Sequence, residues 1–144
     1  MVGGCATEAR PEEIPLPTIF TAVLSGVGAA SERITGEIVV LSHGPGEPLQ
    51  LGISGTGFTP GDHAWHIHTG PCETSGGAVE IALSKDGDRE GIVGPLVVEQ
   101  TGRVSGQYEV APLREEMLGT RERSLHVHET HGDEHGPTVA CATI

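Results

Sequence analysis

Two tripeptides, His66-Ile67-His68 and His126-Val127-His128, constrain this chain more than any other feature of its sequence. On a β-strand, residues two apart project from the same face, roughly 6.5–7 Å apart along it. Each tripeptide therefore sets two imidazoles side by side, while Trp65, Ile67, Leu125 and Val127 turn to the opposite, apolar face. An apolar inner face and an imidazole outer face describe two strands of a barrel wall. If those strands lie close, four imidazoles converge outside the wall.

The rest of the sequence has the punctuation of an all-β chain. Among 144 residues, 22 are Gly and 10 are Pro, which disfavours long helices and suits short strands joined by turns. With few aromatic residues, the core must be made of Val, Ile, Leu and Ala. Strands are expected at 18–25, 33–42, 49–57, 64–69, 78–84, 96–100, 104–110, 124–129 and 138–143. In the third, Leu49, Leu51 and Ile53 alternate with the period of a half-buried strand. His43-Gly44-Pro45-Gly46 and Thr59-Pro60-Gly61-Asp62 read as turns. Only Pro112 to Leu118 reads as a short helical turn. The expectation is one domain over 18–144, a sandwich or barrel of eight or nine antiparallel strands, behind a flexible linker at 1–17.

A net charge of −12 argues against nucleic acid or an anionic membrane surface as partner, since both need clustered Lys and Arg. No run of about 20 apolar residues is present in the sequence. Cys5 follows Val2-Gly3-Gly4 and precedes a Pro- and Glu-rich stretch, Ala6 to Pro17. That order resembles the end of a bacterial lipoprotein signal cut close to its cleavage site, with Cys5 as the lipidated residue and the only membrane contact. The alternative is a free thiol in a terminal segment.

Grouped neutral imidazole nitrogens suit copper or zinc, and Cu(II) is the stronger binder of the two. His63 has the opposite strand parity and is expected to hydrogen-bond backbone from the interior. His131 and His135 fall in an expected acidic loop, 130–136, and His43 in a surface turn.

The stretch Gly61-Asp-His-Ala-Trp-His-Ile-His-Thr-Gly-Pro-Cys72 resembles the copper strand of the copper/zinc superoxide dismutases, in which a disulfide cysteine follows the histidines. Ser124-Leu-His-Val-His-Glu129 and Thr138-Val-Ala-Cys-Ala-Thr143 resemble that family's late histidine strand and closing strand. The resemblance runs from about Thr18 to Ile144. It implies an eight-stranded Greek-key β-barrel, His66, His68 and His128 as ligands of one copper, and a Cys72–Cys141 disulfide. It makes His63 a structural histidine and superoxide the substrate. The disulfide in turn favours an oxidising, extracytoplasmic setting, periplasmic or cell-surface. Monomer and homodimer both occur in the family.

Two departures stand out. No histidine lies between His68 and His126, so the family's zinc site and metal-bridging ligand are absent. Thr138 stands where the family has its catalytic arginine, and no Lys or Arg follows Arg123. His126, at a position usually aliphatic, is expected to supply a fourth copper ligand. Two functions follow. One is a copper-only dismutase with no catalytic residues beyond its metal ligands. The other is a non-catalytic copper- or zinc-binding protein of the same fold, to which a resemblance to the chordin-type domain also points.

Overall fold

A computed structural model describes residues 17–72, 77–131 and 134–144. The expected lipidation site at Cys5 lies outside them. The described chain is almost entirely β. Its strands are β1 (Thr18–Gly26), β2 (Thr35–Leu41), β3 (Pro48–Thr56), β4 (Gly61–His63), β5 (Trp65–Thr69), β6 (Val79–Ala82), β7 (Leu96–Val98), β8 (Val104–Arg114), β9 (Arg123–His131) and β10 (Glu134–Thr143). Eight of them form one antiparallel sheet in the order β6-β5-β9-β10-β1-β2-β3-β8, while β4 and β7 pair as a separate ribbon. The sheet curls into a nearly closed barrel, the all-β architecture expected from the sequence.

Period-two alternation puts the apolar residues inside. Leu24, Ile38, Leu51, Trp65, Ile67, Leu125 and Val127 are all fully buried. Trp65 donates its indole N–H to the Gly94 carbonyl (2.9 Å) and meets Tyr108 edge to face. Its one polar atom is thereby satisfied inside an apolar core.

Three local expectations are corrected. The strand expected at 64–69 begins at Trp65, and a separate three-residue strand, β4, precedes it to pair with β7. The helical turn expected at 112–118 shrinks to one 3-10 turn, Glu115–Met117, because β8 continues through Arg114 in register with Pro48. The acidic stretch expected as a loop at 130–136 instead extends the β9–β10 ladder, whose last pairs are Thr130 with His135 and His131 with Glu134. A stretch that is polar on both strand faces carries no alternation to betray it.

One buried ion pair ties the strands around β5. Arg123 on β9 is 3% exposed. Its Nε and Nη2 donate to the two carboxylate oxygens of Glu80 on β6 (2.7 and 3.2 Å), and its Nη1 to the Met117 carbonyl (2.8 Å). The Arg123 hydrogen bond is the main force holding the Glu80 carboxyl below its usual range. Arg123→Met leaves the half-buried Glu80 carboxylate only the exposed Arg121 (3.1 Å) and is expected to cost about 2 kcal/mol in urea unfolding at pH 7. Adding Glu80→Leu should recover most of that loss, and a double variant as unstable as the single one would contradict it.

Candidate metal centre

Strands β5 and β9 are direct neighbours, with His126 opposite His66 and Ser124 opposite His68. The register therefore brings both His-x-His pairs onto one outer face. His66, His126 and His128 are buried, and His68 is half-buried. Three of the four rings converge. One nitrogen from each of His66, His68 and His128 lies within 4.8 Å of the others, so these residues could hold a metal ion.

Each of the three rings is oriented by a backbone carbonyl from a different segment. His68 Nδ1–H donates to Gly77 O (2.7 Å), His128 Nδ1–H to Gly136 O (3.0 Å) and His66 Nε2–H to Lys85 O (3.4 Å). These bonds fix the tautomers, so that His68 Nε2, His128 Nε2 and His66 Nδ1 carry the ring lone pairs. All three of those nitrogens are buried. Gly77 is essential to the arrangement. A Cβ there would stand 1.9 Å from the Thr69 carbonyl oxygen, so only glycine lets the chain approach closely enough to orient His68.

His126 adjoins this group without joining it. Its ring packs 4.3 Å from that of His68, but its nitrogens face elsewhere. Nδ1 is 3.1 Å from Thr138 Oγ1, and Nε2 is 2.9 Å from Ser124 Oγ. The structure thus brings together His66, His68 and His128 of the expected ligands, and points the fourth at two hydroxyls. Burial first, then the neighbouring imidazoles of His68 and His66, push His126 down from 6.5 to about 4. Between those values the unfolded chain binds a proton that the folded, metal-free protein refuses. Stability should therefore fall as pH drops through that window, with the loss complete below about pH 4. At about 1.4 kcal/mol per pH unit, reduced for solvent screening, the loss is about 2 kcal/mol. Urea unfolding of His126→Gln across the same range should lack this component. An identical slope in variant and wild type would contradict it.

His63 is 1% exposed and lies beneath the site. Its Nδ1–H donates to the His128 carbonyl (2.7 Å), while Nε2 faces the Thr59 carbonyl (2.8 Å). It thus joins the turn before β4 to a ligand-bearing residue. His43 is exposed, with Nε2 3.4 Å from Gln50 Nε2. The side chains of His131 and His135 lie outside the described residues.

The Cys72–Cys141 disulfide is formed, joining the segment after β5 to β10. Sequence reasoning missed the three orienting carbonyls and the Ser124 hydroxyl. Backbone acceptors leave no signature in side-chain identity, because every residue type carries one. No protein-family model and no curated protein matches this chain.

Proposed function

We propose that this chain is a copper protein of the superoxide dismutase type, with His66, His68 and His128 holding one copper ion and no zinc. The observation that carries this reading is the convergence of one nitrogen from each of three imidazoles within 4.8 Å, each ring oriented by a backbone carbonyl. Nitrogen ligands with fixed tautomers suit Cu(II) ahead of Zn(II). Three protein ligands, as opposed to four, also leave a position open to substrate, the pattern of catalytic and not structural sites.

A copper ion held there supplies one-electron chemistry, by which two superoxide ions and two protons become oxygen and hydrogen peroxide. The chain's own part is to fix three imidazoles, exclude bulk water from their inner side and keep His126 off the open position. Ser124 and Thr138 do the last of these by engaging both His126 nitrogens.

A second reading, copper binding without turnover, is favoured by one observation. Thr138 bonds His126 where a cationic guide for an anionic substrate would stand, and Arg123 is committed to Glu80. With threonine at that position and Arg123 so paired, neither residue supplies a field that would concentrate superoxide. The two readings separate on one assay, superoxide decay monitored with copper-loaded protein. Decay well above that with an equal amount of chelated copper supports the dismutase, and one-to-one binding without faster decay supports the second reading. Failure to bind copper would overturn both.

A further inference from the structure

The disulfide and His126 meet on the outer face of β10, on the side of His126 away from the three-histidine group. Cys141 and His126 are cross-strand partners, with Cys141 Sγ 3.5 Å from His126 Nε2. A groove of about 410 Å³, lined in part by Thr21, Val23, Ser25 and Thr143, reaches both cysteines, Cys72 half-buried and Cys141 buried.

We propose that Cys72, Cys141 and His126 form a second metal site, present only when the disulfide is reduced, that takes a thiophilic ion, Zn(II) or Cu(I). A tetrahedral ion with metal–sulfur bonds of about 2.3 Å and metal–nitrogen bonds of about 2.0–2.1 Å sets its sulfur and nitrogen ligands about 3.5 Å apart. That is the distance already present between Cys141 Sγ and His126 Nε2. In the reduced protein, donation from Nδ1–H to Thr138 Oγ1, 3.1 Å away, would put the lone pair on Nε2, the nitrogen beside the sulfurs, and the Thr138 bond would be the outer-shell support that fixes the ring. The sulfurs must part, and the Ser124 hydroxyl must release Nε2. Cys72 is half-buried at the groove, which gives its side chain room to turn. The fourth position falls to Ser124 Oγ, 2.9 Å from Nε2, or to water in the groove.

The chemistry balances with a dithiol as reductant. One of its thiolates attacks a disulfide sulfur and breaks the S–S bond, and its second thiol resolves the mixed disulfide. Two electrons and two protons pass to Cys72 and Cys141, and the reductant leaves as its own disulfide. Metal binding then displaces the two thiol protons to solvent, with no further electron transfer. The disulfide and the ion are alternative occupants of the same two sulfurs. This site does not depend on the copper reading, since it uses none of His66, His68 or His128.

The test uses the full chain carrying Cys5→Ser, reduced with a phosphine so that no reductant thiol competes, and titrated with Co(II). The reduced protein is expected to develop a near-ultraviolet thiolate-to-cobalt charge-transfer band that Zn(II) abolishes. The oxidised protein should show none, even with cobalt bound at the three histidines. His126→Ala should weaken the cobalt affinity read from the band at least about tenfold, and Cys72→Ser should halve its intensity. Trp65 fluorescence reports whether each variant stays folded. Should His126→Ala fail to fold, Thr138→Val keeps all three ligands and loses only the outer-shell bond, with an expected weakening of about tenfold. No band in the folded reduced protein would overturn the proposal, as would unchanged affinity in the folded histidine or threonine variant. A missing band leaves copper binding by the oxidised protein untouched, so the two readings fail separately.

Discussion

His68→Ala is expected to lower the Cu(II) affinity of the oxidised protein by about 100-fold or more. Loss of an outer-shell hydrogen bond alone costs 10–100-fold in metal sites of this kind, and a lost ligand belongs at or beyond the top of that range. Two features make His68 the informative position. It donates to Gly77, whose approach tolerates no side chain, and its ring packs on His126. Competition titration against a chelator of known affinity reads the change. His43→Ala, at an exposed position, should bind copper as wild type does. Equal affinity in His68→Ala and wild type would remove the three-histidine site.

Loss of the disulfide should have the largest effect on stability. Cys72 and Cys141 are 69 residues apart in sequence. Closing a loop of that length restricts the unfolded chain by about 4 kcal/mol in the chain-entropy model. Cys72→Ser should therefore lower the thermal midpoint by roughly 10 °C, at about 2–4 °C per kcal/mol for a domain near this size. The bridge also fastens the segment after β5 to β10, where the backbone N–H of Cys72 donates to Thr143 Oγ1 (3.1 Å). An unchanged midpoint, measured by calorimetry on metal-free samples, would show that the bridge contributes nothing.

The all-β class and the outward-facing imidazoles were legible because strand alternation is a local property. Trp65 and Ile67 inside, with His66 and His68 outside, follow from the pleat wherever that strand sits in the sheet. Adjacency of β5 and β9 is not local, since their contact spans some 60 residues of chain, yet the register came out with His66 opposite His126. That pairing alone would suggest four equivalent ligands. What separates His126 from the others is the neighbour each ring finds. Ser124 two residues earlier and Thr138 across the hairpin offer hydroxyls to His126, whereas its three companions find carbonyls. Side-chain rotation decides between those partners, and strand parity says nothing about rotation. The carbonyls of Gly77, Lys85 and Gly136 were likewise invisible, because every residue type carries one. The extension of β9 and β10 past residue 130 was hidden by a different cause, the absence of any apolar face to pattern.

The character of the centre turns on how many imidazoles of this chain hold the ion. Electron paramagnetic resonance of oxidised protein loaded with one equivalent of Cu(II), recorded beside His126→Val and His128→Ala, counts them. The expected result is nitrogen hyperfine structure from three imidazoles, unchanged in ligand count by His126→Val and lost in His128→Ala. A spectrum that loses a nitrogen in His126→Val, or one indifferent to His128→Ala, would contradict the three-histidine centre.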